Sequence, residues 1–232
     1  MTVAAIASLG MYDFPWTTDA NDALWSALAE RLRAAGIDAP RRLSRGADLH
    51  EFWRDPKLIF GQTCGYPYVT QLGRKTVLVA TPIYAFPGCE GASHSSFIVA
   101  DGRHGGRSLA DFAGTRAAIN ARDSNSGMNL FRAAIAPLAN GQPFFREVVV
   151  TGSHEASVAA VSAGDADIAA IDCVSFALLR RGRPELTESI AIIAHTPLSP
   201  ALPEKSPNPA TDHSRPTCPI GPANVIALLA MS

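Results

Sequence analysis

One pattern constrains the fold of this chain more than any other. A short apolar run, a polar junction and then apolar residues at helical spacing occur in succession, and the sequence does this repeatedly. Residues 117–119, Ala-Ala-Ile, read as a buried strand, residues 120–127 are polar, and Met128, Phe131, Ile135 and Leu138 then recur at three- and four-residue intervals. Residues 147–151 form a Val-rich strand, followed by Gly152, Ser153 and His154 and a helix that buries Val158 and Val161 and stops at Gly164. Residues 166–171 are a further strand, and residues 173–181 a helix that ends on Arg180 and Arg181, where cations favour the negative end of the helix dipole. Parallel strands need a crossover of a dozen or more residues, usually a helix, so this alternation predicts α/β architecture with helices flanking the sheets.

The amino-terminal part carries a separate set. Residues 3–9 read as a strand and residues 10–15 as a loop. A helix capped by Asp19 or Asn21 runs to about Ala35, with Leu24, Leu28 and Leu32 on one face and Gly36 as its stop. Residues 58–60 and 76–80 are short strands, joined by a polar and aromatic turn at residues 61–68, and residues 96–100 are extended again. Residues 102–106 are a turn and residues 108–111 open a short helix. Two successive sets predict two lobes. Residues 197–222 are dense in Pro, Ser and Asn and read as a long loop with few core residues, which leaves residues 225–231 as the closing apolar element.

At 232 residues with 47% hydrophobic content the chain can bury a sizeable core, and its net charge of −1 gives no electrostatic case for nucleic acid or an anionic membrane. No segment approaches the roughly 18 apolar residues of a membrane span. Residues 1–10 lack a basic flank and a sustained apolar run, so no export signal is expected in the chain as given. Cys64, Cys89, Cys173 and Cys218 match no common zinc spacing, and neither a metal nor a cofactor is expected. An oxidising compartment would permit a Cys64–Cys89 bridge; buried thiols are the plainer expectation.

In open α/β sheets ligands sit beyond the carboxyl ends of strands, and the chemistry-bearing residues cluster there. Ser124, Asn125, Ser126 and Gly127 stand where a strand hands over to a helix. They can cap that helix, or join its unpaired N–H groups, Met128 included, around an anion. His154 stands at a second such junction, where it could donate to an anion or be an ordinary residue beside a cap. Asp172 ends a strand and could meet a cationic ligand group or cap the next helix. Tyr12, Tyr66 and Tyr84 lie on strand-following loops and could wall a cleft or pack in the core. Gln62, Thr63 and Cys64 are weaker polar candidates, and Glu90 weaker still. No nucleophile elbow, P-loop, dinucleotide fingerprint or zinc-protease motif is present, which argues against catalysis.

The segments Gly-Gln-Thr-Cys-Gly-Tyr-Pro at 61–67, Cys-Glu-Gly at 89–91, Asn120 with Asp-Ser-Asn-Ser-Gly-Met at 123–128, Thr-Gly-Ser-His-Glu at 151–155 and Gly-Asp-Ala-Asp-Ile-Ala-Ala-Ile-Asp at 164–172 together resemble a known family. It is the phosphate, phosphite and phosphonate substrate-binding proteins of ABC transporters, within the type 2 periplasmic binding fold. The resemblance covers about residues 1–200. It implies two α/β lobes with mixed and parallel sheets, residues 1–90 with 196–232 and residues 91–195, joined by crossovers near residues 91–96 and 195–198. It also implies a non-enzymatic receptor that closes on a small oxyanion, a permease as partner and a periplasmic location. Ser124, Ser126 and His154 match family positions that hold phosphoryl oxygens. Tyr66 and Tyr84 match cleft-wall positions loosely, and Asp172 lies near the position facing the ligand's organic end. A small-molecule lyase or a cytoplasmic sensor on the same fold are the alternatives.

Overall fold

The computed structural model describes residues 4–73 and 75–207. Along the chain run β1 (Ile6–Ser8), α1 (Thr18–Ala34), α2 (Leu49–Arg54), β2 (Leu58–Gln62), the single turn α3 (Gly65–Pro67) and β3 (Thr76–Ala80). Then follow β4 (Cys89–Glu90), β5 (Ser93–His94), β6 (Ser96–Asp101), β7 (Arg116–Ile119), α4 (Leu130–Ile135), β8 (Glu147–Val150) and α5 (His154–Ala163). β9 (Ile168–Asp172), α6 (Cys173–Gly182), α7 (Pro184–Thr187), β10 (Ile190–His195), β11 (Ser199–Pro200) and β12 (Glu204–Pro207) complete the described chain. The described residues divide into two compact units, unit 1 being residues 4–82 with 202–207 and unit 2 residues 83–201.

Unit 1 is built on a four-stranded sheet in the order β1-β2-β12-β3, in which β1 and β2 are parallel and β12 is antiparallel to both its neighbours. α1 covers it with Trp25, Leu28, Ala29 and Leu32, packed on Ala7, Ile59, Phe60 and Val79. The expected face was Leu24, Leu28 and Leu32, but Leu24 is 47% exposed. Trp25 takes its place because positions 25, 28, 29 and 32 form a complete helical stripe. Burying the indole also lets its Nε1 donate to the Pro40 carbonyl at 3.0 Å. The helix starts at Thr18, one turn before Asn21, with Thr17 rather than Asp19 or Asn21 at the cap position.

The expectation of a structureless segment after residue 197 is corrected on the described part. β11 and β12 are strands, and Glu204, Lys205 and Ser206 are buried in the middle of the unit 1 sheet. The error has a physical origin: Glu-Lys-Ser-Pro has no hydrophobic pattern, so nothing local announces a buried strand. The expected closing element at residues 225–231 lies outside the described residues, as does Val3.

Unit 2 holds a five-stranded sheet in the order β10-β6-β9-β7-β8. β7 is parallel to β8 and β9, whereas β6 runs antiparallel to β9 and β10. The core contains Ile98, Phe112, Ala117, Ile119, Phe131, Ile135 and Ile168. α5 buries Val158 and Val161 and ends at Gly164, whose φ of +79° only glycine adopts without strain. The short helix after Ser108 is closed by a reciprocal cap, with Asp111 accepting from the Ser108 backbone N–H at 2.8 Å. A small antiparallel sheet, β11-β5-β4, completes the unit.

The ionisable residues in β12 make unit 1 pH-sensitive. Burial pushes the Glu204 carboxyl up to about 8, although Gln62 Nε2 donates to its Oε1 at 3.0 Å. Burial pushes the Lys205 ammonium down to about 8, while its Nζ donates to the Trp53 carbonyl at 2.6 Å. From pH 4.5 to 8 the folded chain keeps a Glu204 proton that the unfolded chain has lost, so stability falls as pH rises. From pH 8 to 10.5 the unfolded chain keeps a Lys205 proton that the folded chain has lost, so stability rises with pH. Above pH 8 the buried Cys173 thiol, which burial keeps protonated in the folded chain, opposes the Lys205 contribution. The test is therefore a difference: Glu204→Gln is expected to remove a loss of stability in urea unfolding that the unsubstituted chain shows between about pH 4.5 and 8.

Candidate functional site

β7, β8 and β9 run in one direction, so their carboxyl ends come to one edge of the unit 2 sheet. Ile119 pairs with Val150 at the end of the β7–β8 ladder. Beyond it, Thr151 N–H donates to the Ile119 carbonyl at 2.9 Å and Gly152 N–H to the Asn120 carbonyl at 3.0 Å. The two junctions that the sequence singled out are therefore stitched together by backbone.

Ser124 caps the first junction, its Oγ accepting from Gly127 N–H at 3.0 Å. Residues 125–129 form one wide turn that continues into α4. The Gly127 N–H, a candidate anion donor, is thus engaged by the cap, while the Ser124 hydroxyl proton is not needed for that bond. Asn125 Nδ2 donates to Ser199 Oγ at 3.0 Å, and Met128 packs against the unit 2 core. Ser126 is 6% exposed, and its carbonyl accepts from Ser96 Oγ at 3.1 Å.

The second junction is capped by Ser153, whose Oγ accepts from Ala156 N–H at 3.0 Å. This leaves His154 at the first helical position, and its Nε2 lies 3.0 Å from Ser126 Oγ. His154 as a residue keeps some exposure, but its Nδ1 is out of water and has no hydrogen-bond partner. Burial lowers the affinity of the ring for a proton; nearby Asp172 opposes this and His94 adds to it. The ring is thus held below its usual range and is neutral at pH 7.

Asp172, at the end of β9, is 2% exposed. Its Oδ1 caps α6 by accepting from Ser175 N–H at 2.8 Å, and its Oδ2 lies 3.0 Å from His94 Nδ1. Burial alone would push this carboxyl up, but His94, His154 and the Ser175 N–H together hold it below the ordinary carboxylate range. His94 was not among the expected site residues. It is 1% exposed, and the one available signal was a histidine two residues ahead of an extended segment, which does not identify its partner. Asn120 was also missed as a site residue; its buried Oδ1 has no hydrogen-bond partner.

The tyrosines divide between the units. Tyr12 is 6% exposed in unit 1, Tyr66 is 40% exposed on α3 of the same unit, and Tyr84 of unit 2 is half-buried and stacks on Phe86 with ring centres 6.5 Å apart. Gln62, Thr63, Cys64 and the β12 residue Glu204 belong to unit 1, and Glu90 is exposed on β4 of unit 2. The possible Cys64–Cys89 bridge is absent: both are thiols, Cys64 packing with Trp53 and Leu72 and Cys89 lying beside Cys173. Among the described residues no three His, Cys, Asp or Glu side chains converge to hold a metal.

Chemically, the edge offers hydroxyl donors and a neutral imidazole rather than an activated nucleophile. A Ser–His dyad needs the second ring nitrogen oriented by an acceptor, and His154 Nδ1 has none, because Asp172 faces His94 instead.

Gly127 is the steric keystone of this arrangement. A Cβ there would lie 1.9 Å from Asn120 Oδ1 and 3.1 Å from His154 Cε1. Gly127→Ala is expected to cost about 1–3 kcal/mol in urea unfolding, because overpacking at a buried site forces its neighbours off their positions. The same substitution should move the His154 ring resonances in NMR spectra.

Comparison with known proteins places the chain in a lineage. Residues 17–204 match the family of phosphonate periplasmic substrate-binding proteins of ABC transporters. No curated protein matches the chain. Among solved structures, a binding-protein component of an ABC phosphonate transporter from Pseudomonas aeruginosa superposes with a TM-score of 0.65 at 15% identity, over 87% of this chain and 67% of that one. PhnD1 from Prochlorococcus marinus, solved with methylphosphonate, gives 0.65 at 15% identity over 88% and 76%. ArtJ from Geobacillus stearothermophilus, which binds arginine, lysine and histidine, gives 0.56 at 12% identity over 97% and 90%. These likenesses establish the periplasmic-binding-protein fold, and the match across residues 17–204 establishes the lineage: the chain belongs to the phosphonate substrate-binding protein family of ABC transporters.

Proposed function

We propose that the chain is a non-enzymatic receptor for a small phosphorus oxyanion, a phosphate, phosphite or phosphonate, which it delivers to an ABC permease in the periplasm. The observation that carries this reading is the 3.0 Å contact between Ser126 Oγ and His154 Nε2, which joins two strand-to-helix junctions at one sheet edge. In the tautomer with hydrogen on Nε2, the imidazole donates to Ser126 Oγ and leaves the serine proton to donate outward. Ser124 does the same with its own proton while accepting from Gly127 N–H. Two aligned hydroxyl donors and the positive ends of α5 and the turn before α4 suit an anion with several oxygens. Asn125 and Met128 shape the turn, and Asp172 sets the third strand end. Family membership supports the transport role, with the permease as partner.

Isothermal titration of the full chain with phosphate, phosphite, methylphosphonate and 2-aminoethylphosphonate, with sulfate as comparison, tests this. At least one phosphorus anion should bind one to one. Ser126→Ala and His154→Ala should each weaken it about 10- to 100-fold, the worth of one hydrogen bond to a charged group. Circular dichroism should show that Ser126→Ala keeps the fold although it gives up the contact to His154 Nε2. Silence with every anion, or an unaltered affinity in the double variant, defeats the reading.

A further inference from the structure

Unit 2 contains a second pair of reactive side chains that anion binding does not use. Cys89 Sγ and Cys173 Sγ lie 3.5 Å apart, although 84 residues separate them in sequence. Cys89 is half-buried on β4, whereas Cys173 is completely buried at the start of α6. We propose that Cys89 and Cys173 are a redox pair, which closes to an intramolecular disulfide when a small-molecule or protein disulfide acts as oxidant.

The surrounding backbone is built for this approach. Cys89 pairs across the β4–β5 hairpin with His94, and His94 in turn meets Asp172, the residue before Cys173. The hairpin is thereby tied, through His94, to the residue that caps α6. Cys173 N–H donates to the Ser95 carbonyl at 3.2 Å, and Ser95 N–H donates to the Gly88 carbonyl at 2.8 Å. Gly88 has a φ of +89°, and a Cβ placed on it would lie 2.8 Å from Cys173 Cβ. Only glycine therefore lets the chain entering β4 lie directly against Cys173. Closing the sulfurs to the roughly 2.05 Å of a disulfide asks for a shift of about 1.5 Å, within reach of side-chain rotation at Cys89 on a two-residue strand.

The two thiols have unequal roles. Burial pushes the Cys173 thiol far up, and the Asp172 charge and the Cys89 sulfur push in the same direction, so Cys173 does not react first. Cys89 is the point of attack. Its thiolate attacks one sulfur of the oxidant's disulfide, that bond breaks, and one half of the oxidant leaves as a thiolate. Cys173 then gives up its proton and attacks Cys89 Sγ, forming the internal bond and expelling the other half. The two cysteines together lose two protons and two electrons, and the oxidant's disulfide is reduced to two thiols. The product fastens the β4–β5 hairpin to the end of β9, where Asp172 and His94 meet.

This goes beyond the anion-binding reading, and its test uses no anion. Reduced full-length protein is incubated with oxidised glutathione, its remaining thiols are alkylated, and it is digested without reductant for mass spectrometry. The Cys89 and Cys173 peptides should be recovered joined, lighter by two hydrogens than their sum. The thermal midpoint should rise by roughly 5–10 °C, as expected for a long loop closed in the unfolded chain. Cys89→Ser should abolish both effects, and Cys173→Ser should leave glutathione on Cys89. Recovery of Cys89 joined to Cys64 or Cys218, lasting glutathione on Cys89 in the unsubstituted protein, or alkylation of both residues would overturn the proposal.

Discussion

The arrangement at the unit 2 edge depends on the register of three parallel strands. β7 lies between β8 and β9, with Ile119 opposite Val150 and Ala118 opposite Ala169. A one-residue slip of β8 would turn its side chains over and carry His154 away from Ser126. Small residues make the close packing possible. Ala117, Ala118, Ala169 and Ala170 are at most 1% exposed, and Val158 and Val161 of α5 are completely buried. The polar junctions are as well placed as they are because the apolar ladder beneath them admits one register.

That precision has an electrostatic cost. Asp172 and His94 are buried as a pair, and taking such groups out of water is repaid only when their remaining hydrogen-bonding capacity is met. Asp172 meets part of its own by capping α6. His154 Nδ1 and Asn120 Oδ1 are buried without a hydrogen-bond partner, a condition that costs about 1–3 kcal/mol per group in an ordinary interior. Both atoms belong to residues beside Gly127. Two of the buried polar atoms without a partner thus lie at the proposed ligand site, while others, such as Thr63 Oγ1 and Ser206 Oγ, lie in unit 1.

Much of this was legible in the sequence. The strand at residues 76–80 has the bounds its sequence predicts, and the helix stop at Gly164 and the burial of Val158 and Val161 follow from periodicity and cap chemistry alone. The junction residues were legible because polar clusters between periodic segments mark strand-to-helix turns. What stayed hidden depends on contacts distant in sequence. Glu204 and Lys205 are buried by strands some 120 to 150 positions earlier, and nothing in their neighbours' chemistry predicts it. The His94–Asp172 contact and the meeting of Cys89 with Cys173 likewise join segments that no local spacing relates. Leu24 is a milder case: it belongs to a three-leucine pattern on the same helix, but the Trp25 stripe buries a larger side chain.

The fold alone does not choose a ligand. A phosphonate-binding protein and a binder of basic amino acids both superpose on this chain at 15% identity or less. The choice rests on the donors at the strand ends. A guanidinium there would offer a fixed fork of donors and a permanent charge. Hydroxyls behave differently, because each can donate or accept and takes its direction from its neighbours. Ser124 is oriented by the Gly127 N–H, and in the proposed tautomer Ser126 is oriented by the neutral His154 ring, which leaves both hydroxyls to donate outward without a buried cation. In the proposed receptor, affinity then comes from the number and alignment of modest donors rather than from one strong ion pair. That suits a protein that must hold its anion and then release it to a permease.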